Sequence, residues 1–255
     1  YYGMTIQRGL QAIGGSHPDS TIVFTSDTDD FYGGDTNADS TATSPYSGYW
    51  GAIVFDDLSY DPDCRIERAV VRFGGYAGNG AIRMTNASPQ FYYTTIRENN
   101  KGIYASGSSN PVINYCDIYQ NTGFGVENFN KSFNIDARYN WWGNNTGPTH
   151  AGNPGGTGTT VTDSVRYDSF LTSGTGRPLA GDVSLSGNIQ AYDASLILKY
   201  LADGVTYPLN PLQQLAADVS GADGISAFDG SLILQYVVNK IRIFPIEFNR
   251  NVLGG

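Results

Sequence analysis

Apolar and polar positions alternate in short runs along the first two-thirds of the chain, and the runs end on Gly or Asn. Three of them align: Val71-Arg-Phe-Gly74 then Ala81-Ile82; Ile96-Arg-Glu-Asn99 then Gly102-Ile103; Ile118-Tyr-Gln-Asn121 then Gly125-Val126. Alternation over three or four positions predicts short strands, and the Gly/Asn punctuation predicts turns. Ile82 to Ile103 is 21 residues and Ile103 to Val126 is 23. A period of this size with short strands signals a solenoid, in which stacked coils bury an apolar column that no single coil can bury alone. The recurrent Ile/Val should therefore stack inside. Asn99 and Asn121 should occupy equivalent corners, their side chains bonding backbone that the turn leaves unpaired, and Asn tolerates left-handed backbone there. A leucine-rich solenoid would need a regular leucine frame, which these coils lack.

The pattern changes after residues 173–180, Ser-Gly-Thr-Gly-Arg-Pro-Leu-Ala, a Gly/Ser/Pro linker. Beyond it, Asp182-Val-Ser-Leu-Ser-Gly-Asn-Ile-Gln-Ala-Tyr-Asp193-Ala-Ser-Leu-Ile-Leu-Lys-Tyr200 is repeated 36 residues later, from Asp218 to Tyr236. Each copy has Asp at positions 1 and 12 and Ile at 8 (Ile189, Ile225). Leu196, Ile197 and Tyr200, like Leu232, Ile233 and Tyr236, then follow helical spacing. The expected organisation is a β-solenoid over 1–172, a linker over 173–180, a small helical domain over 181–245 and a tail over 246–255. The apolar stretch Ile241–Phe248 is expected to form a strand on another surface.

Charged residues are 15% of the chain, while Tyr (18) and Phe (12) are plentiful. Few charges with many aromatics argue against disorder. Residues 1–172 carry 10 basic and 17 acidic side chains, and the whole chain has a formal charge of −9. A non-specific grip on a phosphate backbone is excluded, since it needs clustered Lys/Arg. No apolar run approaches the length of a membrane span. The two cysteines, Cys64 and Cys116, read as packed free thiols. The opening Tyr1-Tyr2 suggests a processed chain or a piece of a longer one. The run Tyr2–Gly9 already looks like a coil, so upstream coils, a partner or the next copy is expected to cover its edge.

Candidate chemistry in the first part is sparse. His17 and His150 lie in Gly/Pro contexts and read as solvated loop histidines. Arg72 and Arg97 hold matching repeat positions and could form an outward basic pair for an anion or a uronate. Tyr93 and Tyr119, with Tyr92, Tyr104, Tyr115 and Trp141, could line a coil face, where flat rings with a polar tip suit sugars or protein partners. In the acidic loop over residues 27–39, Asp35, Asn37 and Asp39 have the alternate spacing that wraps oxygens around Ca²⁺. Asn86, Asn130 and Asn144 head Asn-x-Ser/Thr triplets compatible with glycosylation.

The coil pattern resembles the right-handed parallel β-helix of the pectin-lyase-like superfamily. Ile22–Ser26, Trp50–Val54 and Ile66–Gly75 look like consecutive coils of secreted β-helix proteins, and Asn140-Trp-Trp-Gly-Asn-Asn-Thr-Gly-Pro148 resembles their closing segment. Enzymes of this fold act on acidic polysaccharides, and hydrolases need paired carboxylates at a set separation. The acidic pairs Asp29-Asp30 and Asp56-Asp57 exist, but the polygalacturonase motifs are absent. The resemblance therefore implies the fold and leans away from catalysis.

The duplicated second part resembles the type I dockerin, two EF-hand-like calcium loops each followed by a helix. The resemblance implies side-chain oxygens from loop positions 1, 3, 5 and 12 and a carbonyl from position 7. These fall on Asp182, Ser184, Ser186, Asn188 and Asp193 in the first loop and on Asp218, Ser220, Gly224 and Asp229 in the second. One or two Ca²⁺ are implied there, with a further one expected for the 27–39 loop. Position 3 is Ser where the family usually has Asn or Asp, and Ala222 stands at position 5 of the second loop. Fewer charged ligands should weaken binding. The family's partner contacts fall on positions 10 and 11, here Ala191-Tyr192 and Ala227-Phe228, so each copy offers one aromatic, Tyr192 or Phe228. A cohesin-like module or a neighbouring copy of this chain is the implied partner, with polysaccharide a further candidate. The expected function is a non-catalytic extracellular or cell-surface scaffold with a docking module, able to build a filament if docking repeats head to tail. The alternative is a polysaccharide lyase or hydrolase delivered by its dockerin.

Overall fold

The computed structural model describes residues 2–14, 21–129, 133–174, 180–186, 188–221, 224–242 and 244–245. The chain divides into two compact units, Tyr1–Thr175 and Gly176–Gly255.

In the first unit the alternating runs become short strands, three to a coil. Coil one holds β1 (Met4–Ile6), β2 (Leu10–Ile13) and β3 (Ile22–Phe24). Coil two holds β4 (Ile53–Phe55), β5 (Cys64–Glu67) and β6 (Ala69–Arg72). Coil three holds β7 (Gly80–Thr85), β8 (Gln90–Tyr92) and β9 (Thr95–Arg97), and coil four holds β10 (Lys101–Ser106), β11 (Val112–Asn114) and β12 (Asp117–Tyr119). β13 (Val126–Asn128), β14 (Ile135–Asp136) and β15 (Val165–Arg166) complete the stack. Each strand pairs in parallel with its counterpart one coil away, giving three sheets: A (β1-β4-β7-β10-β13), B (β2-β5-β8-β11-β14-β15) and C (β3-β6-β9-β12).

The expected stacks form. Ile53, Ile82, Ile103 and Val126 are successive partners in sheet A, and Val71, Ile96 and Ile118 in sheet C; all seven are 0% exposed. Burying each such side chain stabilises the unit by about 1.5–3 kcal/mol. Trp142 is also fully buried, and Trp141 bridges to Asp117, so the predicted closing segment continues sheet C.

Corner geometry differs from expectation in one respect. Asn99 and Asn121 do bond unpaired backbone, but the left-handed residues stand one place earlier, at Phe73, Glu98 and Gln120. The residue before each Asn makes the left-handed bend, and the Asn side chain bonds the backbone that the turn leaves unpaired. A second row of left-handed residues, Arg68, Tyr93, Tyr115 and Tyr139, makes the bend from sheet B to sheet C. Left-handed backbone is costly for bulky residues. Here it is offset by ring stacking, Tyr93 on Tyr115 at 5.7 Å and Tyr115 on Tyr139 at 5.4 Å.

In the second unit, α1 (Ala191–Ala202) and α3 (Ala227–Val237) are the two predicted helices. A third, α2 (Pro211–Ala217), was not anticipated. Its signal is local: Asn210 accepts from Gln213 N–H at 3.0 Å, the Gln213 side chain accepts from Asn210 N–H at 3.1 Å, and Pro211 opens the first turn. The core gathers Val183, Ile197, Val219, Ile233 and Phe244. Phe244 is 1% exposed and stacks on Tyr236 at 4.9 Å, so the described part of the apolar stretch after Ile241 packs into its own unit rather than pairing elsewhere as a strand. Gly181 (φ +91°) admits this ring, since a Cβ there would lie 2.8 Å from it. The tail over 246–255 lies outside the described residues.

Candidate functional site

On the outer face of sheet C, Arg72 and Arg97 are neighbours in register, as the repeat predicts. They do not form an outward basic pair. Arg72 is buried, held by Glu98 at 2.7 Å and Asp29 at 3.5 Å, with the Phe73 ring 4.2 Å from its guanidinium. Arg97 also rests on Glu98, at 3.0 Å. The segment after β3 brings Asp29, Phe31 and Tyr32 over Arg72, which periodicity alone could not show. Tyr93 is likewise taken up by the tyrosine stack, with Arg68 over its ring, and burial pushes its hydroxyl well above the usual range. Tyr119 stays partly exposed beside Arg97.

In the acidic loop, Asp35, Asn37 and Asp39 come together, but their oxygens close the loop's own turns. Asp35 accepts from Asp39 N–H (2.9 Å) and Ser40 N–H (2.8 Å), and Asn37 accepts from Asp39 N–H at 3.3 Å. Asp39 accepts from the Asn37 amide at 2.9 Å and from the Thr43 hydroxyl, and the latter bond leads in holding its carboxyl below the ordinary range. The neighbouring Asp30 is raised, by loss of hydration first and then by Asp35, Asp39 and Asp29.

The two loops of the second unit share one plan. Asp193, fully buried, accepts from Ser184 N–H at the loop start and Gln190 N–H at the helix start, both at 2.7 Å. Asp229, fully buried, does the same with Ser220 N–H (2.8 Å) and Ser226 N–H (2.9 Å). At position 1, Asp182 accepts from the Ser184 hydroxyl (3.1 Å) and Ser186 N–H (2.9 Å), and Asp218 accepts from Gly221 N–H (3.0 Å). The Asp218 carboxyl is raised, by burial first and then by the charge of Asp229. Each loop thus brings together two carboxylates and a serine hydroxyl, oxygen groups of the kind that suit a hard cation such as Ca²⁺. Among the described residues no group of three or more His, Cys, Asp or Glu is placed to hold a metal, and the described part of each loop brings two carboxylates. Ala222 and Asp223 lie outside the described residues. Asn188 and Gly224 hold equivalent places in the two loops, and Gly224 has φ +104°.

Beside these loops lies a duplicated apolar face. Tyr192 is 56% exposed and Phe228 58%, and Leu198 and Leu234 repeat the same relation at 50% and 43%. Ile197 and Ile233 face the core instead, so α1 and α3 bury one stripe and leave the other outward. Lys199 lies over both the Tyr192 and Tyr207 rings, at 5.8 and 5.9 Å.

Of the remaining expectations, Asn86 is exposed but donates to Asp57 (3.2 Å) and accepts from Ser108 N–H (2.9 Å). Asn144 accepts from Thr146 N–H and hydroxyl within its own triplet. Asn130 and His17 lie outside the described residues. His150 is no solvated loop histidine: its ring contacts the Tyr167 hydroxyl at 3.0 Å and Asp163 at 3.2 Å, with 18% of the side chain exposed. Cys64 and Cys116 are buried free thiols, both raised chiefly by burial.

A family model described as a right handed beta helix region matches residues 46–174, just over half of the chain. No curated protein matches. Among solved structures, the chain is similar to one from a complex of the third cohesin of ScaC with the ScaB dockerin of Acetivibrio cellulolyticus, described as displaying a type I interaction. Identity is 36%, over 27% of this chain and 94% of that one, with a TM-score of 0.26. Among the described residues no helix is long and apolar enough to cross a membrane.

Proposed function

The chain belongs to the right-handed β-helix family, and we propose that it is an extracellular scaffold whose second unit docks it to a partner in a calcium-dependent way. The observation that carries this reading is the duplicated outward face, Tyr192 with Leu198 and Phe228 with Leu234, set beside two loops of one oxygen-lined plan. Exposed aromatics and aliphatics repeated at equivalent places on two helices are the composition of a protein-binding surface. Asp182, Ser184, Ser186, Asp193 and the Asn188 carbonyl would hold Ca²⁺ in the first loop. Asp218, Ser220, Asp229 and the Gly224 carbonyl would hold it in the second. The ion would supply positive charge beside two carboxylates, of which Asp218 is raised by burial first and by the charge of Asp229 second. Asp193 and Asp229 then fix where each helix starts, and with it the direction in which Tyr192 and Phe228 point.

The partner class is a cohesin module or a neighbouring copy of this chain, with the β-helix as a non-catalytic body that carries the contact. The test is calorimetric titration of a type I cohesin module into the chain in millimolar Ca²⁺ and again in chelator. Binding that weakens at least 100-fold on chelation supports the reading. Equal affinity in both, or no binding together with no self-association in Ca²⁺ by sedimentation, overturns it. Release of unsaturated or reducing ends from pectate or alginate would place the protein among polysaccharide-cleaving enzymes instead.

A further inference from the structure

We propose that the two copies of the docking face are not equivalent. The first, built on Tyr192, Lys199 and Tyr207, fits a partner surface with an acidic rim and is filled first; the second, built on Phe228, fits an apolar surface alone. The inequivalence rests on the calcium-dependent docking proposed above, and it adds the partner's chemistry.

The duplication sets residues 36 apart in equivalent places. Tyr192 answers to Phe228 and Leu198 to Leu234, and all four are exposed. Lys199 answers to Gln235. Lys199 is exposed, lies 5.8 Å from the centre of the Tyr192 ring and 5.9 Å from that of Tyr207, and among the described residues has no ion pair. Two rings steady the ammonium by cation–π attraction without neutralising its charge. Gln235 is neutral, and its amide is committed to the Ser231 hydroxyl at 3.2 Å. In the first copy Ser195 donates instead to the Tyr192 carbonyl at 2.6 Å.

The segments that follow the two helices also part company. After α1, Asp203 closes a turn by accepting from Val205 N–H and Thr206 N–H, both at 3.1 Å, and Tyr207 N–H returns to the Asp203 carbonyl at 3.0 Å. Val205 is 93% exposed and Tyr207 50%. After α3 the equivalent of Asp203 is Asn239, left-handed at φ +57°, and the chain beyond it turns inward: Ile241 packs on the core and Phe244 is 1% exposed. The first copy therefore adds a second outward ring to its face, while the second copy's following segment is taken up by its own unit. Tyrosine is among the side chains that carry most of the energy at protein interfaces, so the face with two rings is the stronger one.

An unneutralised cation held between two rings matches a carboxylate on the partner, beside an apolar patch that receives the rings. Face-to-face docking of two copies of this chain does not supply it, because a two-fold contact brings Lys199 from both sides. The occupant is a separate module whose apolar contact surface is rimmed by acidic groups.

The full chain in millimolar Ca²⁺ is titrated calorimetrically with a type I cohesin module in low and high salt, about 50 and 500 mM NaCl, since screening weakens an exposed charge pair. Phe228→Ala leaves the first face to work and Tyr192→Ala the second; both side chains are exposed, so both variants should fold. The Phe228→Ala form should stay within about twofold of the native chain in low salt and weaken about fivefold in high salt. The Tyr192→Ala form should bind about fivefold more weakly than the native chain in low salt and shift less than about twofold with salt. Lys199→Gln should remove the salt response of the Phe228→Ala form, and Gln235→Lys should create one in the Tyr192→Ala form. Tyr207→Ala should weaken the Phe228→Ala form and leave the Tyr192→Ala form unchanged. Equal affinity and equal salt response of the two single variants, a salt response that survives Lys199→Gln, or self-association in place of cohesin binding overturns the proposal while docking stands. Absence of both cohesin binding and self-association in the native chain overturns the docking reading itself, which separates the two failures.

Discussion

Asn99 donates from its side-chain amide to the Oδ1 of Asn121, one coil further on, at 3.1 Å in the buried wall of the β-helix. The same Oδ1 accepts Asn99 N–H at 3.1 Å, and Asn121 Nδ2 returns to the Ile96 carbonyl at 3.0 Å. Asn99 repeats the arrangement one coil earlier, accepting from Gly74 N–H at 2.8 Å and donating to the Val71 carbonyl at 3.0 Å. The ladder satisfies backbone groups that the corner removes from the sheets.

Removing one rung leaves several buried polar groups unpaired. Asn121→Ala should lower the stability of the first unit by about 2–4 kcal/mol, since each unsatisfied buried group costs about 1–3 kcal/mol. Urea unfolding followed by tryptophan fluorescence measures this. A loss below 0.5 kcal/mol, on the order of a surface substitution, would mean the ladder is not a stability element.

Gly102 has no room for a side chain, because a Cβ would stand 2.5 Å from the Gly125 carbonyl of the next coil. Gly102→Ala should cost about 1–3 kcal/mol through backbone displacement. Gly34→Ala, in the acidic loop where nothing lies within 4 Å, should act only through its left-handed φ of +74° and cost less. Equal effects would refute the close-approach argument.

Asp136 is held below the ordinary carboxylate range, first by its hydrogen bonds from Arg138, both at 2.8 Å. A carboxyl lowered on folding adds stability that is complete above its unfolded value and disappears as pH falls through the lowered one. Asp136→Asn should therefore cost under about 1 kcal/mol at neutral pH, as for a partly exposed pair screened by solvent. It should cost nothing once both values lie above the solution pH. Unfolding midpoints between pH 7 and pH 2 test the sign; a penalty that grows on acidification contradicts it.

The docking face is duplicated, so single substitutions should be absorbed. Tyr192→Ala or Phe228→Ala alone should weaken cohesin binding less than 10-fold, while the pair should reduce it more than 100-fold. Two singles that each abolish binding would show one continuous surface instead.

Calcium should stabilise the second unit by mass action, about 2.7 kcal/mol for one site at 100 times its dissociation constant. Asp193→Asn should remove the gain from the first loop only, and Asp229→Asn from the second only. Thermal unfolding with and without chelator reads both. Melting that ignores calcium would leave the loops as purely hydrogen-bonded caps.

Periodicity made the register legible. Ile82, Ile103 and Val126 could be aligned from spacing because a solenoid repeats one local solution and each residue meets its own equivalent. The Asp193/Asp229 duplication was equally plain, since capping a helix start is a matter of a few residues. α2 carries an Asn-Pro-x-Gln start, but its seven residues are too short to set up a helical period of their own. Phe244 could not be placed, for an apolar segment suits a strand or a core and only the gap above Gly181 distinguishes them.

By itself, the sequence determined what depends on neighbours at fixed offsets: the coil, its aliphatic columns, the asparagine corners and the paired loops. Tertiary structure alone decided which outward side chains stay outward. Arg72 and Arg83 both stand outward on their strands, yet the segment after β3 folds back over the first while the second opens on a cavity. The path of a long, non-repeating insertion is set by the sum of its contacts rather than by any period, so no pattern of spacing could tell these two arginines apart.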